Sequence, residues 1–155
     1  MKFAAITHCD QLNGEGNRVV LWVSGCSHNC KNCHNPYTHN PNTGEEFTFE
    51  VFEKEIKPDL QSDWCSGITF SGGDPLFETN RETIINLAKH IKENFPIKTI
   101  WLYTGYTIDQ IKQDKSMNQI LNYVDVLCDG VFIENLKSVE CKWVGSINQN
   151  VIKLT

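Results

Sequence analysis

The stretch Arg18-Val19-Val20-Leu21-Trp22-Val23-Ser24 runs directly into Gly25-Cys26-Ser27-His28-Asn29-Cys30-Lys31-Asn32-Cys33-His34. The first half is mostly apolar with β-branched residues, which predicts a buried strand over 18–24. The second half opens a polar loop that continues to about Glu46 and holds three histidines and two prolines. A loop of that length without regular structure is functional or disordered. Three cysteines in C-x3-C-x2-C spacing favour function.

Working outward, Thr48 reads as a helix N-cap, with Phe49, Phe52 and Ile56 on one face and Pro58 as the stop. Gly67 to Ser71 reads as a short strand running into Gly72-Gly73-Asp74-Pro75. Thr79 with Glu82 predicts a capping box. Ile84, Leu87, Ala88, Ile91 and Phe95 form the face of the next helix, which Pro96 ends. Lys98 to Thr104 reads as a strand, and Ile108, Ile111, Ile120 and Leu121 mark a helix broken near 114–116. Strands over 124–129 and 151–154 complete the pattern. Alternating strands and helices predict an α/β fold with a mostly parallel sheet, in a single domain spanning 1–155. Active sites of parallel sheets lie at the carboxyl ends of strands. The cysteine loop, the Gly-Gly segment and Tyr103-Thr104-Gly105-Tyr106 each follow a strand, so all three fall on one edge.

The bulk properties narrow the function. The chain has 155 residues, 40% hydrophobic and 21% charged, with a formal charge of −5. That balance argues against a nucleic-acid backbone as the partner, which needs clustered Lys and Arg. No run of about 18 apolar residues is present to span a membrane, and the first residues lack a signal-peptide core. The expectation is a cytoplasmic protein. Its seven cysteines are odd in number, with three inside eight residues. A disulfide framework is usually even and spread out, so the cluster of thiols points to metal.

Three thiolates on one short loop suit three corners of an iron–sulfur cubane. No fourth cysteine follows at matching spacing, so one iron would keep an open position. The alternative is zinc with His28 or His34 as fourth ligand, although zinc favours four closed ligands. Gly72 and Gly73 would let backbone approach a ligand or take positive φ, and a plain turn is the simpler reading. Asn13-Gly14-Glu15-Gly16-Asn17-Arg18 lacks the residues of a phosphate loop and reads as a turn. Cys9, Cys65, Cys128 and Cys141 read as structural, in the manner of buried small hydrophobes. His90 reads as a surface residue.

C-x3-C-x2-C after one strand and Gly-Gly-Asp-Pro after the next resemble the radical S-adenosylmethionine superfamily. The finer resemblance is to its anaerobic (class III) ribonucleotide reductase activating proteins. It is carried by residues 18–36, 67–76, Tyr103-Thr104-Gly105-Tyr106, residues 124–130 and the tail Gly145-Ser146-Ile147-Asn148-Gln149. Some positions differ from the family's usual pattern: Glu15, Asn32, Val131, Val144 and Asn150. The resemblance implies a small, open partial (β/α) barrel. It implies that Cys26, Cys30 and Cys33 ligate a [4Fe–4S] cluster whose open iron chelates S-adenosylmethionine. Gly72, Gly73 and Asp74 would contact the methionine ammonium, largely through backbone, and Asn32 and His34 would lie near adenine. The implied activity is reductive cleavage of S-adenosylmethionine, giving a 5′-deoxyadenosyl radical that abstracts hydrogen from a glycine of the reductase large subunit. A flavodoxin-like or other donor would supply the electron. Two rival readings are a radical enzyme acting on a small metabolite and a non-catalytic metal-binding or electron-transfer module.

Overall fold

The computed structural model describes residues 1–155. Its strands are β1 (Lys2–Asp10), β2 (Arg18–Val23), β3 (Glu45–Glu46), β4 (Gly67–Gly72), β5 (Thr99–Tyr103), β6 (Val126–Asp129) and β7 (Asn150–Lys153). They form one open sheet in the order β3-β1-β2-β4-β5-β6-β7. The central β2, β4, β5 and β6 are parallel neighbours. The flanking strands β1, β3 and β7 pair antiparallel. The sheet is therefore partly parallel, rather than mostly so as the alternation predicted. Antiparallel neighbours such as β1 with β2 and β6 with β7 need no helical crossover between them. No helix is long and apolar enough to cross a membrane.

The two faces of the sheet carry different chemistry, because side chains alternate along a strand. One face presents Val19, Leu21 and Val23 of β2, Ile68 and Phe70 of β4, Ile100 and Leu102 of β5, and Leu127 of β6. These join one core with Phe52, Ile56 and Leu60, with Ile84, Leu87, Ala88 and Ile91 of α3 (Arg81–Asn94), and with Ile111 of α4 (Ile108–Gln113). The helices thus cover that face. The opposite face holds a small cluster of Trp101, Val126 and Cys128, with Tyr103, Trp143 and Val144 packed on it.

Pro58 does not end its helix. Helical structure runs over 49–61 as α1 (Phe49–Val51), a π turn (Phe52–Ile56) and α2 (Lys57–Gln61). A proline inside an α-helix clashes with the carbonyl four residues back. The widened turn, in which the Lys57 N–H reaches the Phe52 carbonyl, accommodates the ring and lets the chain continue. The Thr79 capping box is also absent. Asn80 is the N-cap of α3 and makes no side-chain cap bond. Its amide instead donates to the Ser24 carbonyl (2.8 Å) and the Asp74 carbonyl (3.0 Å). The true capping box is Thr107 with Gln110, at the start of α4. The break at 114–116 is present, followed by a 3-10 turn over Asn118–Asn122.

Lys92 of α3 donates to both carboxylate oxygens of Asp125 at 2.7 Å, and the Ile100 N–H and Thr155 hydroxyl also point at that group. Burial pushes the Asp125 pKa up, but these donors outweigh it and hold the carboxyl below its ordinary 3.8. A depressed folded-state pKa adds stability that is present above the unfolded value and lost as pH falls through the folded one. Asp125→Asn should therefore cost about 1–2 kcal/mol at pH 7, a melting-temperature drop of roughly 2–8 °C. The gap from wild type should close as the pH is taken below 3.8. Thermal melts at pH 7 and in acid check this.

Candidate metal and cofactor site

The parallel strands place the ends of β2, β4 and β5 side by side, and the loops that leave them meet there. The Gly73 N–H donates to the Val23 carbonyl (2.7 Å) and the Asp74 N–H to the Gly25 carbonyl (2.8 Å). The Gly25 N–H donates to Thr38 (2.7 Å) and the Cys26 N–H to His39 (3.1 Å), which folds the far end of the loop back onto its start. The two glycines are needed for this approach. A Cβ at Gly73 would sit 2.5 Å from the Gly25 carbonyl oxygen and 2.9 Å from that of Thr38. A Cβ at Gly72, which takes φ +100, would sit 2.6 Å from the Val23 carbonyl oxygen. The Gly-Gly pair therefore seats the start of the cysteine loop on the end of β4.

Within the loop, Asn29 (φ 52) and Asn32 (φ 56) take the left-handed conformation that Asn tolerates better than most residues. These two turns separate Cys26, Cys30 and Cys33. The Cys33 N–H donates to the Cys30 carbonyl (3.2 Å), and the Asn35 N–H points at the Cys33 Sγ (3.4 Å).

All three cysteines line one cavity of about 570 Å³, together with His28, His34, Gly72, Gly73, Asp74, Thr104 and Gly105. That volume lies in the ordinary range of cofactor and ligand pockets, roughly 300–1,000 Å³. The other face of the cavity comes from the sheet and from the strap that follows β6: Trp22, Ser71, Tyr103, Cys128, Phe132, Trp143 and Val144. A second groove of about 460 Å³, beside β1 and α1, holds no cysteine.

His34 packs edge-on against Phe132, with centroids 5.9 Å apart. Asn32 is not among the lining residues; its amide donates to Glu134 on the strap, which Lys31 also approaches (3.5 Å). The tail motif has a structural task. The Gln149 Oε1 accepts from the Gly145 and Ser146 N–H groups, while its amide donates to the Gly130 carbonyl (2.9 Å). Asn148 donates to the Val131 carbonyl (2.8 Å). The tail thereby clasps the strap over the end of β6.

Of the four remaining cysteines, Cys65 and Cys128 are buried as expected, whereas Cys9 is exposed and Cys141 is intermediate. Cys128 is more than filler, because it lines the cavity. Burial pushes its thiol up to about 12. The signal available in the sequence was its place at the end of a parallel strand, in the same register row as Tyr103.

The donor set fits an iron–sulfur cluster. No three His, Cys, Asp or Glu side chains converge on a single point as one ion would require, whereas the ligands of a cubane occupy separate corners. For the zinc alternative, neither His28 nor His34 joins the thiols in a group that could hold one ion. Burial pushes the Cys26 thiol up to about 11, a little eased by the His28 N–H. Iron binding must therefore displace a proton there.

The fold and the site define an iron–sulfur protein on an open α/β sheet. Residues 12–152 match the family described as a 4Fe-4S single cluster domain. The chain is 44% identical over 151 residues to an anaerobic ribonucleoside-triphosphate reductase-activating protein of Enterobacteria phage T4, covering 97% of this chain and 93% of that one. The protein of the same name from Haemophilus influenzae is 42% identical over 142 residues, 90% of each chain. That from Escherichia coli K12 is 40% identical over 144 residues, 92% of each. The chain belongs to the family of anaerobic ribonucleoside-triphosphate reductase-activating proteins. With that membership comes an oxidoreductase-type activating enzyme that uses a [4Fe–4S] cluster with S-adenosylmethionine.

Proposed function

We propose that this chain generates the glycyl radical of an anaerobic ribonucleotide reductase, with the reductase large subunit as its protein substrate. The observation that carries this reading is the single cavity onto which Cys26, Cys30 and Cys33 converge with Gly72, Gly73 and Asp74. Cys26, Cys30 and Cys33 would hold three irons of the cluster, leaving one position open for S-adenosylmethionine. When bound, the pair supplies one-electron cleavage of the sulfonium to methionine and a 5′-deoxyadenosyl radical. The residues of the chain bind, orient and shield. The backbone around Gly72, Gly73 and Asp74 would receive the methionine end, and His34 the adenine. The Asn32 side chain turns to Glu134 on the strap instead. Trp22, Phe132, Trp143 and Val144 would keep water from the reacting atoms.

The open sheet supports a partial barrel of the radical S-adenosylmethionine type. An unclosed side leaves room for a glycine-bearing loop of a partner. One domain would span 1–155, working in the cytoplasm with a flavodoxin-like or other electron donor.

Anaerobic reconstitution is expected to give a brown, oxygen-sensitive protein with about four irons and four sulfides per chain. With dithionite and S-adenosylmethionine it should release methionine and 5′-deoxyadenosine. Tight stoichiometric zinc with no cleavage would overturn the reading.

A further inference from the structure

We infer that His28 is a positioning residue whose ring, clamped between Asp74 and the Gly105-Tyr106 turn, fixes the cysteine loop in its cluster-holding shape. The inference rests on the assignment of Cys26, Cys30 and Cys33 as ligands. His28 lies between the first two of them, inside the ligand loop itself. Its Nε2 is 2.6 Å from Asp74 Oδ2, and the Asp74 side chain is 2% exposed. An ionised carboxylate only accepts, so the His28 Nε2 carries the hydrogen.

Asp74 is itself held from two directions. The Thr104 hydroxyl reaches its two oxygens at 2.9 and 3.0 Å, the Gly105 N–H donates to Oδ2 (3.0 Å), and the Leu76 N–H donates to Oδ1 (2.8 Å). With His28 that makes four donor groups on a carboxylate with about four lone-pair sites. The Asp74 side chain is thus filled by the protein, and it acts on the site through His28. This agrees with a cofactor contact made by the backbone of this segment.

The rest of the clamp is steric. The His28 ring meets Tyr106 edge-on at 4.7 Å and 75°. Its face lies on Gly105, where a Cβ would run into the ring. Gly105 does not have a positive φ, so the ring is what demands glycine there. Three separate segments, the cysteine loop, the end of β4 and the end of β5, are therefore locked through one imidazole. Outer-shell residues of this kind orient metal ligands, and losing one costs about 10–100-fold in metal affinity.

The test compares wild type, His28→Ala, His28→Gln, Gly105→Ala and the His28→Ala/Gly105→Ala double variant, all reconstituted anaerobically. The readouts are iron content, the rate of iron loss to a ferrous chelator, and thermal melting of the metal-free proteins. His28→Ala is expected to lose iron about 10-fold faster or more. His28→Gln, which keeps an N–H near the Nε2 position, should recover most of that loss. Gly105→Ala should match His28→Ala, and the double variant should be no worse than either, because both remove one clamp. Iron loss from His28→Ala within about twofold of wild type would overturn the inference, as would additive effects in the double variant. It would also be overturned if melting temperatures fell in parallel with iron retention and His28→Gln gave no rescue, since that is a merely structural role. A wild-type protein that took up no cluster would instead overturn the ligand assignment, and the clamp with it.

Discussion

A Cys30→Ala protein, reconstituted without oxygen, is expected to hold no stable cubane. It should lose S-adenosylmethionine cleavage by more than the roughly 10–100-fold that outer-shell changes cost. Cys30 is the middle ligand, set between the left-handed turns at Asn29 and Asn32. Its backbone carbonyl already accepts the Cys33 N–H, and alanine preserves that bond. Its thiol is neither fully buried nor paired in a disulfide. Removing it should therefore shift the stability of the metal-free chain by no more than about 0.5 kcal/mol. That separates loss of a ligand from loss of the fold. Full iron content with normal cleavage would remove Cys30 from the ligand set.

Arg18→Met is the second large effect, and it acts at the opposite end of the sheet. Arg18 is fully buried at the start of β2. Its guanidinium donates to Thr69 Oγ1 (2.7 Å), Ile68 O (2.7 Å), Thr99 O (2.8 Å), Thr99 Oγ1 (3.0 Å) and Glu15 O (3.0 Å). It also lies 5.6 Å from the Trp101 ring. Burial pushes its pKa down to about 10, so the group remains charged at neutral pH. Every acceptor is neutral, and together they join β2, β4 and β5. Methionine fills similar space but leaves those acceptors without a donor. The expected loss is about 3–5 kcal/mol, read from urea unfolding of the metal-free chain. Arg18→Lys should recover less than half, because an ammonium cannot reproduce the fork. A loss under about 1 kcal/mol would show that water replaces the guanidinium at no great cost.

Arg18 also marks a boundary of what the sequence makes legible. As the first residue of an apolar run it read only as a strand start, because its partners lie about 50 and 81 positions away. β1 escaped the reading for a related reason. It is a mostly half-exposed strand between the two-residue β3 and β2, and its residues do not alternate cleanly. The parallel core was legible because β2 and β4 are buried nearly throughout and read as short apolar runs. Pro58 misled because a π turn leaves no mark in periodicity. At the site, spacing alone marked the cysteine triplet as a metal candidate, whereas the Gly-Gly pair by itself read as a turn and gained its role from the shared sheet edge and the family resemblance. The pairing of His28 with Asp74 was not, because it joins loops 46 residues apart. Nor could spacing show that Asn32 faces the strap rather than the cavity.

Delivery of a radical to a glycine of a partner protein is the task proposed for this cavity. The most direct measurement mixes the reconstituted, reduced protein with S-adenosylmethionine and an anaerobic ribonucleotide reductase large subunit, then records the EPR spectrum. The expected result is a glycyl-radical doublet that requires all three components and is missing with Cys30→Ala. Intact S-adenosylmethionine cleavage with no doublet would contradict it and favour a small-metabolite substrate.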